Sequence, residues 1–371
     1  MDVIQRIFND HFEDVRDHLC LDQLKAADSI IACRTAKAGG RVHYCPTKNS
    51  DHDFRIMYNS CHYRYCPQCN LLPRLRWLEK AESRILNCAH RQVVFTVPHE
   101  LNELWRYNKR EINQLLFKCA SKCLKTFLAD DKWLGAKAGF SLVLHTWGRN
   151  LSIHPHIHAV ITEGGITPEG KWKAPCHKDF LPAVPMMHKF RGAYLSGIRE
   201  LLREDELTLP PKETRAGLRK ALNALYQHKK WNVKVEPGYL HGRGVVKYLS
   251  RYLKGGPIRS RQVKRNSDGV RLRYKDHRSG LLRYQRFTTS RFIQQLLCHA
   301  PPLGMPVIRH YGLYASGCKE SRDKMAEMLP KWTSTFSIEG YLESIGIQIL
   351  ANCSVCGCKL EKKRLEASEQ N

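Results

Sequence analysis

A chain of 371 residues with 42% hydrophobic side chains has room for two or three domains and a substantial core. Its 61 lysines and arginines outnumber 35 acidic residues, for a formal charge of +26. No stretch reaches the ~20 apolar residues of a membrane span, and the first six residues lack the regions of a secretory signal. The fifteen cysteines therefore read as thiols or metal ligands of a cytoplasmic protein, not as a disulfide framework.

The basic residues run from Arg6 to Arg364. A long polyanion lying across a folded surface fits that spread better than a solvated arm, and nucleic acid is the leading partner. A membrane surface is the alternative.

The first thirty residues carry Val3, Ile4, Ile7, Phe8, Phe12, Val15 and Leu19 at spacings of three and four, a helical lead-in. Cys33, Cys45, Cys61, Cys66 and Cys69 follow, with His43, His52 and His62 among them. Cys66-Pro67-Gln68-Cys69 is a knuckle that presents two thiolates to one zinc, and tetrahedral closure requires two more ligands. Cys45 and Cys61 complete the expected structural-zinc set, with Cys33, His43, His52 and His62 as alternatives.

A helix is expected over 71–86, then a strand over 91–97 stopped by Pro98, then one amphipathic helix over 101–129. Residues 140–147 form an apolar run ending in His145-Thr146-Trp147. Residues 154–158 read His-Pro-His-Ile-His. In a strand, His156 and His158 share a face and Ile157 takes the other. If the two runs pair through Gly148-Arg149-Asn150, His145, His156 and His158 converge on one metal, imidazole being the commonest metal ligand. His154 is expected beside that site rather than in it. Residues 164–185 have no clear period, and helices are expected over about 186–204 and 211–228.

Residues 245–256 read as a short helix ended by glycines and Pro257. Tyr248 and Tyr252 stack at i, i+4 on one face, beside a ridge of Lys247, Arg251 and Lys254. Alone, such a pair is ordinarily half-buried structure. Beside a histidine metal site in a basic chain it reads as a pair of nucleophiles, since a phenol attacking a phosphodiester leaves a 5′-phosphotyrosine and a free 3′-hydroxyl. Three short strands follow, over 263–266, 270–275 and 282–288. Their alternating basic and aromatic residues, Arg271, Arg273 and Arg283 foremost, suit a nucleic-acid backbone with stacked bases. Tyr311 and Tyr314 read as structural but are the rival nucleophile pair. Cys353-Ser354-Val355-Cys356-Gly357-Cys358 is a second knuckle without a partner CxxC near it.

These blocks resemble the HUH endonucleases, and more narrowly the two-tyrosine rolling-circle transposases typified by insertion sequence 91. The resemblance rests on Cys33-Arg-Thr-Ala, residues 58–69, His145-Thr-Trp-Gly, the 154–158 histidines, Tyr248-Leu-Ser-Arg-Tyr-Leu253, Tyr274-Lys-Asp-His-Arg278 and Arg309-His-Tyr-Gly-Leu-Tyr314 in that order. It departs from the family at Cys45-Pro-Thr-Lys48, where a second cysteine is usual. The resemblance implies cleavage and rejoining of single-stranded DNA at transposon ends, with target DNA as the second partner. Three imidazoles alone favour zinc or another late transition metal; the resemblance implies magnesium or manganese there.

The expected fold is α+β: an antiparallel sheet with flanking helices and an N-terminal cysteine-rich zinc-binding module. Expected divisions are 1–88 for the helical and zinc module, 89–299 for the nuclease with its basic ribbon, and 300–371 for a C-terminal segment. A plasmid replication initiator or relaxase uses the same chemistry, and a non-enzymatic zinc-dependent DNA-binding protein is the reading from another class. A zinc hydrolase lacks a nearby carboxylate partner in sequence.

Overall fold

The computed structural model describes residues 2–47, 52–82, 84–175, 177, 180–227, 231–240, 256–276, 279–331, 337–347 and 352–365. The helices are α1 (Val3–His11), α2 (Leu21–Ala32), α3 (Leu71–Glu82), α4 (Asn102–Tyr107), α5 (Lys109–Ala129), α6 (Ala183–Arg203), α7 (Arg215–Gln227), α8 (Thr289–Cys298), α9 (Lys319–Met328) and α10 (Ile338–Ser344). The first six strands are β1 (Gly40–Tyr44), β2 (Phe54–Tyr58), β3 (His90–Thr96), β4 (Lys137–Trp147), β5 (Ile153–Ile166) and β6 (Trp172–Lys173). The remaining six are β7 (Asn232–Val235), β8 (Val263–Asn266), β9 (Gly269–Lys275), β10 (Leu282–Phe287), β11 (Ile308–Gly312) and β12 (Glu361–Arg364).

The fold is α+β and every strand pair is antiparallel. Two compact units result, one of Met1–Glu79, Lys254–Ala300 and Ser334–Asn371, the other of Lys80–Leu253 and Pro301–Thr333. This differs from the consecutive division expected, for a reason of strand pairing. β12 returns to β1 in the first unit, and β11 adds to β4 in the second.

In the first unit, α1 packs on α2, α8 and β8, burying Ile4, Ile7 and Phe8 completely. Its two sheets run β12-β1-β2 and β10-β9-β8. The second unit is built on the order β11-β4-β5-β3-β7, with β6 on β5. Ile112, Leu115, Leu116, Leu124 and Leu128 form the buried stripe of α5, which packs on α6 and β4. Phe190 and Tyr194 of α6 stack on each other, Trp231 meets both edge-on, and Phe95 of β3 lies beside Phe190. Among the described residues no helix is long and apolar enough to cross a membrane.

The single helix expected over 101–129 is two, broken at Asn108. The Asn108 amide nitrogen donates to the Leu104 carbonyl (2.9 Å) and the Thr208 carbonyl (2.8 Å), and its oxygen accepts from the Thr208 N–H (2.7 Å). A buried side chain that mimics a strand partner outcompetes the helix here. The expected linker after residue 164 instead extends β5 and turns into β6.

His90, at the start of β3, is fully buried. Its Nδ1–H donates to the Cys88 carbonyl (2.9 Å), so its Nε2 accepts the Tyr314 hydroxyl (2.6 Å). Burial pulls its pKa down to about 4. The folded value lies below the unfolded one of about 6.5, so the unfolded chain binds the extra proton between them. Stability from this residue is complete above pH 6.5 and falls as the pH drops toward 4, by up to about 3 kcal/mol. Urea unfolding of the wild type and His90→Gln across pH 4–7 should show the wild-type advantage shrinking toward pH 4; parallel curves would contradict it.

Candidate active site and metal centres

β4 and β5 pair through the turn at residues 148–152, where Gly148 N–H donates to the Ser152 carbonyl (2.8 Å) and Leu151 takes a φ of +68°. Their register sets His145 opposite His156, with Leu144 opposite Ile157 and Val143 opposite His158. The donor atoms of His145, His156 and His158 lie within 4.8 Å of one another. The ring centroids are 5.4 Å apart for His145–His156 and 4.8 Å for each pairing with His158. Trp147 stacks on His145 at 4.7 Å, just past the register shift between His145 and Trp147. Residues i and i+2 of a strand share a face, which brings the indole onto the imidazole.

His156 Nδ1–H donates to the His154 carbonyl (2.6 Å), and its Nε2 faces His158 Nε2 at 3.1 Å. His154 thus orients a neighbour through its backbone. Burial and then the neighbouring imidazoles hold His156 well below its ordinary pKa and bring His158 down to about 2. Neutral rings present lone pairs, and two facing lone pairs are relieved by a cation or a shared proton. Nitrogens bound at about 2.1 Å to one cation sit roughly 3.0–3.4 Å apart, so the donor set fits a divalent metal.

A residue not singled out from the sequence joins this set. The Gln92 side-chain amide on β3 lies 2.9 Å from His158 Nδ1. With Nε2 turned to the shared point, Nδ1–H needs an acceptor; the Gln92 atom placed there is Nε2, and a half-turn of the amide presents its oxygen to the ring instead. The signal in sequence was a polar residue inside the run Arg91-Gln92-Val93-Val94-Phe95.

In the first unit, Cys33, Cys61, Cys66 and Cys69 bring their sulfurs within 4.8 Å of one another, with Cys61 and Cys69 at 3.6 Å. Sulfurs on one zinc at 2.3 Å stand about 3.8 Å apart, so four thiols fit that ion. Cys45, expected in this set, is not in it, and Cys33 takes its place. The reason is the hairpin. β1 carries the chain roughly 15 Å along an extended strand, which leaves Cys33 and Cys61 at the Gly40–Tyr58 end and Cys45 at the Tyr44–Phe54 end. The second residue that sequence reasoning missed is Gln5. It is a polar residue on the apolar stripe of α1, and its amide donates to the Cys33 carbonyl (2.8 Å) while its oxygen accepts from Gln68 of the knuckle (2.7 Å).

Tyr248, Tyr252, Lys247, Arg251 and Lys254 lie outside the described residues. Of the rival pair, Tyr314 has its hydroxyl engaged by His90 and by the Leu86 N–H, and burial holds its phenol well above the ordinary value. Tyr311 stacks on Phe140 at 5.0 Å, with the Lys125 ammonium over its ring. Both have packing roles.

On the β8–β10 ribbon, Arg271 pairs with Arg286, Arg273 with Tyr284 and Lys264 with Arg271, so these side chains share one face. The Arg271 guanidinium lies 4.8 Å over the Tyr284 ring. Val270 and Leu272 are buried on the other face, against α8. Arg283, opposite Tyr274, alternates onto that second face but remains exposed.

Residues 4–97 match the family model of a transposase zinc-binding domain, and residues 139–322 match one described as a putative transposase. A putative transposase, y4qJ, of Sinorhizobium fredii is 32% identical over 95% of this chain and 92% of its own length. The transposase for insertion sequence element IS801 of Pseudomonas savastanoi pv. phaseolicola is 28% identical over 91% of this chain and 82% of its own length. Among solved structures, a conjugative relaxase TrwC in complex with oriT DNA is similar at 13% identity, over 43% of this chain and 69% of that one. Its TM-score of 0.22 is too low for the likeness to bear on the site.

Gln92→Leu should weaken manganese binding at the histidines roughly 10–100-fold by titration calorimetry, with the fold kept; unchanged affinity would remove Gln92 from this role. Cys66→Ser should release one zinc per chain and lower the stability of the first unit, because structural zinc contributes folding free energy. Zinc retained in full by that variant would count against the four-cysteine set.

Proposed function

The chain belongs to the insertion-sequence-91-like transposases, and from that premise we propose that it cuts and rejoins single-stranded DNA at the ends of its element through a 5′-phosphotyrosine intermediate. The convergence of His145, His156 and His158 on one point carries this reading. A divalent cation bound there, magnesium or manganese as the family implies, supplies positive charge to a non-bridging oxygen of the scissile phosphate.

The rest falls to the chain's own groups. The His156 and His158 imidazoles are kept neutral by burial and by their neighbours, so their nitrogens stay available to a metal. The Gln92 amide and the His154 carbonyl fix two of the rings. The phenol oxygen of Tyr248 or Tyr252 forms the new bond to phosphorus, the bond to the 3′ oxygen breaks, and the phenolic proton passes through solvent to that 3′ oxygen. The ester energy is retained in the phosphotyrosine, so a 3′-hydroxyl of the target strand reverses the step without ATP. A second tyrosine permits a second cleavage before the first strand is released. Lys264, Arg271, Arg273 and Arg286, around Tyr284, track phosphates while the ring stacks a base.

The test is incubation of the full chain with single-stranded oligonucleotides carrying the element's ends and magnesium, followed by denaturing electrophoresis. The wild type should give an SDS-stable protein–DNA adduct. His156→Ala and the double variant Tyr248→Phe/Tyr252→Phe should give none, and Tyr311→Phe should still give it. An adduct that persists in the double tyrosine variant would place the nucleophile elsewhere, and no adduct in the wild type would favour a non-enzymatic DNA-binding protein.

A further inference from the structure

We infer that the first unit holds a second structural zinc site, built by Cys45 and His52 of the β1–β2 hairpin and by Cys353 and Cys356 of the C-terminal segment. Their donor atoms lie within 4.8 Å of one another. Cys45 Sγ is 3.2 Å from His52 Nδ1 and 3.4 Å from Cys356 Sγ, and Cys353 Sγ is 3.7 Å from His52 Nδ1. Three thiolates and one imidazole form a zinc donor set, for which sulfur–sulfur and sulfur–nitrogen separations of about 3.8 and 3.5 Å are expected. The stretch matched as a transposase zinc-binding domain ends at residue 97, so it does not account for Cys353 or Cys356.

The surroundings are built for this geometry. Cys353 N–H donates to the Cys358 carbonyl (2.7 Å) and Gly357 N–H to the Cys353 carbonyl (3.0 Å), folding residues 353–358 into a tight knuckle. Gly357 takes a φ of +73° there, a conformation that suits glycine. Ser354 N–H donates to Asp53 Oδ2 (2.5 Å), next to β2. The Thr47 hydroxyl lies 2.7 Å from Cys45 Sγ, placed to donate to a thiolate. Leu360 packs with Cys45 and Cys353. Pairing brings these parts to one place, because Tyr44 of β1 stands opposite both Phe54 of β2 and Glu361 of β12. The site therefore lies at the opposite end of the β12-β1-β2 sheet from the four-cysteine cluster.

His52 is the ligand that sequence spacing concealed. A second cysteine at the position of Lys48 would have announced a knuckle; here an imidazole seven residues beyond Cys45 stands in. Cys358, part of the same motif, lends its carbonyl to the Cys353 N–H, and its sulfur, which contacts that of Cys356, is outside the set of four convergent donors. The consequence is a clasp across the chain. Cys45 and Cys356 are 311 residues apart, so an ion held between them closes a very long loop, and docking of the C-terminal segment depends on metal.

Cys356 and Cys358 are both exposed, which gives a test that needs no variant. The full-length protein, kept reduced, is pulsed with N-ethylmaleimide with and without a zinc chelator, and each cysteine is read by peptide mass spectrometry. The expected result is fast labelling of Cys358 and at least tenfold slower labelling of Cys356 and Cys353, with protection lost on chelation. Equal rates for Cys356 and Cys358 before chelation would overturn the site. Elemental analysis adds a second measurement: Cys353→Ser/Cys356→Ser should hold one zinc fewer than the wild type, and Cys358→Ser the same number. A full zinc count in the double variant would also overturn it. Adduct formation on short oligonucleotides is a separate readout, so loss of this site and failure of the cleavage reading are distinguishable.

Discussion

The register between β4 and β5 is the constraint on which the catalytic half of this protein depends. Side chains on a strand alternate with a period of two, so a slip of one residue would send His156 and His158 to the face opposite His145. The register is held by apolar cross-strand pairs on the face opposite the histidines. Phe140 faces Ile161, Leu142 faces Ala159 and Leu144 faces Ile157, all essentially buried. β3 fixes β5 from its other edge, with Phe95 opposite Ile157, and α5 packs on both strands of the hairpin. Three polar rings can be held close together only because that apolar frame fixes where they stand.

Much of that frame was readable from residues alone. The His-x-His spacing on a β-branched run, the upstream strand carrying His145 and the glycine turn between them are local signals, and the structure brings the three rings together. The basic ribbon was equally legible, because its turns and alternation lie within about 25 residues. What could not be read depends on partners far away in sequence. Asn108 breaks a good helical pattern because Thr208 accepts its pairing. Gln92 and Gln5 are polar residues in apolar patterns whose purpose appears only once His158 and Cys33 stand beside them. The exchange of Cys45 for Cys33 has the same origin, since Cys45 has partners at 353 and 356 that no local spacing reveals.

The first unit poses a different energetic problem from the second. The histidine sheet is buried on both faces along β4 and has helices to cover it. The β12-β1-β2 sheet has little of this: all five residues of β2 and all four of β12 are exposed. Three short strands with so little apolar burial are marginal by themselves. Phe54, Ile56, Met57 and Tyr58 sit in the solvent, so burial of these side chains cannot be what holds β2 in place.

Metal clusters at the two ends of that sheet resolve the difficulty. The four cysteines fasten the base of the hairpin to α2 and, through Gln5, to α1. The Cys45 cluster fastens its tip to the segment that becomes β12. Each ion would contribute folding free energy where hydrophobic burial cannot. The arrangement also explains how the sheet tolerates its charge. Arg41 faces Arg364, and His43 stands opposite both Lys362 and Arg55, cross-strand pairs that like-charge repulsion disfavours. Strands closed at both ends by coordination do not need favourable side-chain pairs along their length, and that leaves their outer surface free to remain basic.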